Sequence, residues 1–300
     1  MMQYWEIVKK AIFKFIDDDA MTYSASIAFY TIFSLPAIFI ISMTIGSALY
    51  SDDVVRETLL DRIAYLSGAG NAAIVQRVMA NAQGLGTSII AKMVGVGTLL
   101  FSATTVFASL QTALNTIWNV EVKPDLSLWD FLISRLISLS IVISIGFLLL
   151  ASLITDTVIV VFNNVLTQVL SGGAFYIVSA LHLGISLFVI TLVFAMIFKI
   201  LPDARIEWRD VWKGALASTL LFTLGKYLIG FYLGNSSLSN AYGAAGSLVI
   251  LLLWIYYSTI ILLLGAEFTY VYSQKAGRRI EPEKEAVAVD KKKKEKDVVA

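Results

Sequence analysis

The chain lacks cysteine and has a single histidine among its 300 residues. Without a thiol, disulfides, thiolate catalysis and cysteine-based metal sites are excluded. His182 has no second histidine to share a metal ion and no acidic neighbour in the sequence for a catalytic triad. We therefore expect His182 to be a hydrogen-bonded interior residue, with a place beside a substrate path as the alternative.

Nucleotide-binding and catalytic motifs are also lacking. The sequence contains no glycine-rich phosphate-binding loop of the form GxxxxGK[ST] and no GxGxxG following a strand. It has no HExxH motif, no nucleophile elbow and no carboxylate cluster. We therefore expect no enzymatic activity, no ATP hydrolysis, no cofactor and no nucleic-acid partner.

Charge is scarce as well, because charged residues make up 15% of the chain and hydrophobic residues 58%. Soluble domains carry about 25% charged residues. The stretch Tyr227–Ala266 contains no Asp, Glu, Lys or Arg and ends at Glu267. One bilayer crossing takes about 20 apolar residues. The stretch therefore predicts the end of one transmembrane helix, a polar turn at Asn235–Gly243 and a second complete helix.

Charge-free blocks of this kind predict an all-α polytopic membrane protein with six transmembrane helices. The predicted spans are 20–50 with a kink at Pro36, 93–120, 136–155, a helix from about 175 to 198, one beginning near Val211, and 246–272. Lysine and arginine occur before the first span, in the second and fourth connections and after the last span, whereas the third and fifth connections have none. The first connection is the exception, since it carries four basic residues and four acidic ones: Arg56, Arg62, Arg77, Lys92, Asp52, Asp53, Glu57 and Asp61. Because cytoplasmic segments retain basic residues, both termini are predicted to be cytoplasmic.

Three parts follow from this topology: a cytoplasmic N-terminal segment at 1–19, a transmembrane domain at 20–274 and a charged cytoplasmic tail at 275–300. The tail holds nine of the 23 basic residues, and we expect it to be disordered or a fraying helix. Within the transmembrane domain, 51–87 has apolar residues at helical spacing and predicts an amphipathic hairpin on the outer surface. This hairpin is either a cap packed on the bundle, or a lid or docking surface for an envelope protein.

Ionisable residues inside predicted spans are candidates for function because burying them is costly. Glu267 lies about 30 Å along the sixth helix and so near the inner membrane boundary. The expected partners of Glu267 are the inner-loop residues Arg205, Arg209 and Lys213. Lys226 lies about 22 Å along the fifth helix, in the outer half, where its side chain can extend outward.

Polar side chains also follow one face of the first two predicted helices. Such residues either hold helices together or line a polar cleft. Both interpretations stay open on the sequence. The candidate substrate-path or gate residues are Tyr23, Tyr30, Pro36, Thr104, Gln111, Asn115, His182, Lys226, Tyr242, Gly243, Trp254 and Glu267.

Short motifs in a fixed order add a further indication. They are Asp17–Asp19, Ala25–Tyr30, Ser34–Pro36, Ala113–Val120, Lys213–Ala215, Tyr242–Gly243, Leu253–Tyr257 and Gly265–Glu267. In this order the chain resembles the YihY/BrkB-like family of bacterial inner-membrane proteins over about residues 5–275. The resemblance implies a six-helix protein of the bacterial plasma membrane with a polar or amphipathic cavity. An old ribonuclease label of that family has no support in these residues.

The family resemblance implies an association with envelope integrity and lipid movement. Together with the lack of an energy-coupling motif, it favours a protein that transports or handles a lipid or another amphiphile. Membrane lipids are then the expected partners. The alternative is a non-transporting scaffold that binds an envelope protein through 51–87. The sequence does not indicate an oligomeric state.

Overall fold

A computed structural model of the chain describes residues 2–47, 50–67, 72–77, 105–123, 173–235, 246–284 and 286–289. Helices dominate these residues. They are α1 (Met2–Asp17), α2 (Ala20–Ser47), α3 (Asp52–Ser67), α4 (Gly173–Ile200), α5 (Trp208–Asn235) and α6 (Gly246–Lys275). Residues 72–77 and 105–117 are helical as well. The prediction of a mostly helical chain is confirmed.

The predicted spans are helical over most of their overlap with the described residues; the exceptions are Tyr50 and 118–120. Helices α2, α4, α5 and α6 match the first, fourth, fifth and sixth spans, and 105–117 lies in the second. The third, 136–155, lies outside the described residues. Within the described part of the chain, the windows Leu183–Ile200 and Leu248–Lys275 are long and apolar enough to cross a bilayer. The count of six spans stays a prediction.

α1 and α2 follow each other almost without a loop. Asp19 adopts a left-handed conformation, with φ of 53°, which aspartate tolerates better than most residues. Its carbonyl then accepts hydrogen bonds from the backbone amides of Thr22 and Tyr23 in the first turn of α2. This tight turn fixes where Asp18 and the last turn of α1 lie. α1 covers most of the 1–19 segment, and the sequence analysis did not predict this helix.

α1 is amphipathic. Ile7 and Ala11 on one face are buried against Val271 of α6. The opposite face exposes large apolar side chains and carries basic residues between them. The exposed apolar residues of α1 are Trp5, Val8, Ile12, Phe13 and Ile16.

α5 and α6 pack at close range through glycines. A Cβ atom added to Gly214 would overlap Oγ1 of Thr269, and one added to Gly265 would overlap Oγ of Ser218. These hydroxyls each donate to a carbonyl of their own helix: Thr269 to Gly265 and Ser218 to Gly214. Each glycine therefore receives the hydroxyl from the facing helix, as small residues allow in membrane helix pairs.

Four short strands lie at one end of the bundle: β1 (Val120–Val122), β2 (Ala204–Arg205), β3 (Glu281–Pro282) and β4 (Ala286–Ala288). β1 pairs antiparallel with β4, and β2 pairs antiparallel with β3. The expectation of a disordered or helical tail is therefore wrong for these strands. The backbone groups of the tail find partners in two loops that follow helices. Residues 290–300 lie outside the described part.

We call this region the strand end; it comprises residues 14–19, 118–123, 201–207, 276–284 and 286–289. The buried core of the bundle lies beside it. Trp118 is almost fully buried and its ring meets Phe198 of α4 edge-on, with 6.4 Å between centroids. The core then continues through Ala215 of α5 and Leu263 of α6. Because N-terminal, internal and C-terminal segments meet here, the strand end is where distant parts of the chain bring their polar groups together.

α3 and the helical residues 72–77 lie within the predicted hairpin 51–87. α3 starts with Asp52 and Asp53, which suit the positive end of a helix. Val75 of the helical residues 72–77 is buried against Leu59, Leu60 and Ile63 of α3. Residues 68–71 and 78–87 of the predicted hairpin lie outside the described residues.

Candidate functional site

The candidate site is a buried group of charges at the strand end, which we call the Lys14 cluster: Lys14, Asp18 and Glu267. Lys14 lies in the last turn of α1, and its ammonium group hydrogen-bonds the Asp18 carboxylate one turn later. The same ammonium lies 3.3 Å from Oε2 of Glu267 in α6. The Glu267 side chain is 0% exposed, and Asp18 is 5% exposed as a residue. One cation therefore faces two buried carboxyl groups.

Neutral groups complete the surroundings of Lys14. Its ammonium donates to the carbonyl oxygen of Ile117 at 2.7 Å and lies 4.4 Å from the ring centroid of Tyr270. Asn119, in a left-handed turn with φ of 53°, donates to the Tyr270 hydroxyl at 2.6 Å. These contacts join the end of the 105–117 helical segment to α1 and α6. They fix the lysine in one place, as expected for a cation held by several acceptors.

The partner of Glu267 differs from the predicted ones. Lys14 approaches it, whereas Arg205 lies 3.8 Å from Glu283 and Lys213 hydrogen-bonds the Tyr272 hydroxyl. Arg209 is exposed in the first turn of α5. α1 packs along the end of α6, and this packing places the last turn of α1 next to Glu267. The only available signals for Lys14 and Asp18 were their spacing of four residues and the Asp17–Asp19 run.

A second polar group lies nearby and involves the predicted polar stripe. Gln111 donates to both carboxylate oxygens of Asp203, at 3.2 and 3.0 Å. Asn115 donates to Oδ2 of Asp203 at 2.7 Å and accepts from the Asp203 backbone amide at 2.9 Å. Gln111 and Asn115 thus bind the loop between α4 and α5. This contact supports the alternative in which the stripe holds the helices together.

A third group connects the tail to α5. Arg278 donates from Nε to Asp210 at 2.8 Å and from Nη2 to the other oxygen of the same carboxylate, while Glu207 lies 3.6 Å away. The hydrogen bonds to Asp210 raise the pKa of the Arg278 guanidinium. Gly277, with φ of 72°, ends α6 and turns the chain toward Asp210. Sequence analysis missed Asp203, Asp210 and Arg278, because their partners lie far away in the sequence.

The remaining candidate residues are spread over the bundle. Tyr23 lies 3.3 Å from the Thr116 hydroxyl, next to the Lys14 cluster, whereas Tyr30 is one turn or more away and partly exposed beside Phe29. Trp254 is buried, with its ring 6.2 Å from that of Phe222 of α5. Lys226 lies 5.9 Å from the ring of Tyr227. The candidates that the structure brings together are Gln111 and Asn115, which bind the same oxygen of Asp203.

Several candidates lie wholly or partly outside the described residues. Thr104, Tyr242 and Gly243 are outside them altogether. Pro36 lies within α2 and His182 within α4, but their side chains are not among the described ones. Among the described residues, no group of three or more histidine and acidic side chains is arranged to hold a metal ion.

The arrangement at the Lys14 cluster is unusual for a merely structural contact. Replacing a buried ion pair by apolar residues is often neutral or stabilising, so burial of charge is weak evidence for a role in stability. Charged groups at membrane depth mark pathways and relays. Glu267 lies within the apolar window of α6, and the only lysine in the cluster comes from a different, amphipathic helix. The cluster can respond to a change in charge or in the position of α1.

Comparison with known proteins places these residues in a wider context. A family model described as "Virulence factor BrkB" matches residues 11–289. Among curated proteins, a UPF0761 membrane protein of Verminephrobacter eiseniae is 28% identical over 85% of this chain, and one of Xanthomonas campestris is 28% identical over 90%. One of Pseudoalteromonas translucida is 26% identical over 85%.

The relatives differ from this chain in length. The chain spans 59% and 60% of the first two relatives and 81% of the third. No solved structure matches the chain. The family match covers most of the chain and includes all three residues of the Lys14 cluster.

Proposed function

The chain belongs to the BrkB family and is an integral membrane protein, and on that premise we propose that it transports or handles a lipid or another amphiphile. The proposed location is the bacterial plasma membrane, with six spans and both termini in the cytoplasm. The proposed process is envelope maintenance without ATP hydrolysis or other enzymatic activity. Membrane lipids are the proposed partners.

The observation that carries this proposal is the Lys14 cluster. Its two carboxyl groups are buried at one end of an apolar helix, and its cation comes from α1, which packs across that end. A phospholipid headgroup carries charges that can replace either member of such a pair. In this proposal the cluster is the polar part of a gate, and the apolar surface of the bundle accommodates the acyl chains.

The direct test is transbilayer movement of labelled lipid. The purified full chain is reconstituted into phospholipid vesicles with a small fraction of headgroup-labelled phospholipid, and the label that becomes accessible to a membrane-impermeant quencher is followed over time. We expect faster movement than in protein-free vesicles. Movement equal to that in protein-free vesicles overturns the proposal.

A matched pair of variants tests the gate. Lys14→Gln removes the cation of the cluster, whereas Lys275→Gln breaks the exposed pair of Lys275 with Glu6, 2.9 Å apart. We expect Lys14→Gln to change the rate of lipid movement several-fold and Lys275→Gln to leave it at the wild-type value. Equal rates for the two variants contradict a gate at this position.

A scaffold is the second candidate, favoured by the packing of 72–77 on α3. Val75 is 2% exposed, so these helical residues have a small core of their own. The outward residues of α3 include Asp53, Glu57 and Asp61, which are exposed and available to a partner. Deleting 52–77 discriminates the two functions. A scaffold loses its cross-linked envelope partner while lipid movement is unchanged, and a transporter with a lid shows the reverse.

A further inference from the structure

The charges of the Lys14 cluster do not balance if both carboxyl groups are ionised. Lys14 contributes one positive charge, and Asp18 and Glu267 would contribute two negative charges. An uncompensated charge in a buried position costs several kcal/mol, by the general behaviour of buried ions. Two carboxyl groups in one site commonly avoid this cost by keeping a single proton between them.

The hydrogen bonding of Glu267 shows the same deficit. Both of its carboxylate oxygens are buried, and neither accepts a well-directed hydrogen bond from a described residue. Lys14 is at ion-pair distance, but its ammonium donates to Asp18 and to the Ile117 carbonyl. Asp18 and Glu267 contact the same Lys14 ammonium group, so their two carboxyl groups lie close together. Two ionised carboxylates have no donor between them, so a proton on one of them would supply the missing hydrogen bond.

Several charged groups at and beside the strand end have partners of their own. Asp203 is bound by Gln111 and Asn115, and Asp210 by Arg278. From α5, Lys213 is directed to Tyr272. From α2 and the 105–117 helical segment, the groups beside the cluster are Tyr23 and Thr116, which bring no formal charge. Among the described residues, Lys14 and Asp18 are the charged groups that form the cluster with Glu267.

We propose that Asp18 and Glu267 form a proton-binding site that holds one proton between them, with Lys14 as its fixed counter-charge. With that proton, the cluster is neutral and both carboxyl groups take part in hydrogen bonding. Release of the proton leaves two negative charges against one positive charge at the contact between α1 and α6. The site goes beyond the proposed function, since it would bind a proton whatever the protein moves.

Infrared spectroscopy of the full chain in lipid nanodiscs tests the site directly. A protonated carboxyl group in a dry interior gives a carbonyl stretching band that is separate from the carboxylate bands and shifts in deuterium oxide. We expect the wild-type protein to show this band at neutral pH and to lose it as the pH rises. Absence of the band from the wild-type protein at neutral pH overturns the proposal without any variant.

Variants distinguish a shared proton from one held by a single residue. With Glu267→Gln or with Asp18→Asn, the remaining carboxylate forms a simple pair with Lys14, so we expect either variant to lose the band. Glu6→Gln changes an exposed carboxylate and should retain it. A band that persists in Asp18→Asn contradicts sharing, and one that persists in Glu267→Gln contradicts the site.

Stability against pH gives a second measurement that does not depend on the spectrum. The unfolded chain releases this proton at about pH 4, whereas the folded protein would still hold it at neutral pH. Wild-type stability should therefore fall as pH rises through this interval and level off once the folded protein has lost the proton. Glu267→Gln should flatten this dependence, while Glu6→Gln should follow the wild type. Identical pH profiles for the wild type and Glu267→Gln overturn the proposal. Since neither measurement involves lipid movement, failure of the transport proposal would leave this result interpretable.

Discussion

The Asn115 side chain joins the 105–117 helical segment to the loop between α4 and α5. Its amide nitrogen donates to the Asp203 carboxylate, and its amide oxygen accepts from the Asp203 backbone amide. Both polar atoms of the side chain therefore bind the same residue. The sequence places Asn115 on a polar helical face but does not say what the face meets. The loop that meets it is only a few residues long and follows α4, and its contacts depend on the packing of two helices distant in sequence.

Asn115→Asp tests this contact. The change replaces the donor by a carboxylate oxygen that faces the Asp203 carboxylate, and it leaves a buried group without its partner. We expect a loss of about 1–3 kcal/mol in the free energy of unfolding. The measurement is denaturant unfolding of the purified protein in mixed micelles.

Thr112→Val is the matched control on the same helical segment. Thr112 is on the surface and donates to the carbonyl of Ala108 within its own helix. We expect its unfolding midpoint to stay near the wild-type value. Equal losses of unfolding free energy in Asn115→Asp and Thr112→Val would mean that the contact between Asn115 and Asp203 does not contribute to stability.

Sequence alone could identify Glu267 but not its surroundings. A carboxylate at the end of a long charge-free stretch is evident from the sequence, and its place in a predicted membrane span made it a candidate for function. Lys14 could not be identified as its partner, because a lysine in an N-terminal segment has many possible partners. The choice is made when Ile7 and Ala11 of α1 pack against Val271, which is a tertiary contact.

At the scale of helices, the pair α5 and α6 is joined through reciprocal contacts. Gly214 receives the hydroxyl of Thr269, and Gly265 receives that of Ser218. The charge-free stretch that ends at Glu267 predicted α6, and the apolar residues on both sides of Lys226 predicted α5. The strands were not predictable in the same way. Stretches of two or three residues show no alternation, and their partners lie in other loops.

Adding a methyl group at the close contact should separate the two helices. We expect Gly214→Ala or Gly265→Ala to lower the free energy of unfolding by about 1–3 kcal/mol, the usual cost of overpacking. Gly184→Ala is the control in α4, since a Cβ there meets no atom within 4 Å. Thermal unfolding in detergent compares the three variants. Helix propensity favours alanine over glycine at all three positions, so a Gly184→Ala variant destabilised as much as the others would show that the close contact is not responsible.

The whole molecule is closed by its C-terminal segment. β3 and β4 pair with strands that follow α4 and the 105–117 helical segment, and Arg278 binds Asp210 at the start of α5. The backbone amide of Glu283 also donates to the Asp203 carbonyl at 2.9 Å. The charged segment after α6 therefore connects three parts of the bundle, at least up to Val289.

Two truncations test this connection. Deleting 278–300 removes Arg278, β3 and β4, and it leaves the buried Asp210 carboxylate without its guanidinium. Deleting 290–300 removes the lysine-rich residues and leaves every described contact of the strands in place. We expect a clearly lower melting temperature for the first deletion only. Equal melting temperatures would show that the strand end does not stabilise the bundle.

The strand pairing also determines when the fold can be completed. Synthesis proceeds from the N-terminus, so β1 and β2 leave the ribosome before β3 and β4 exist. Their backbone amides and carbonyls must remain hydrated or find temporary partners until residues 281–288 follow. Lys14 likewise cannot contact Glu267 until α6 has been synthesised. Assembly of the strand end is therefore a late step of biogenesis, and until then the N-terminal helix is free to associate with the membrane surface.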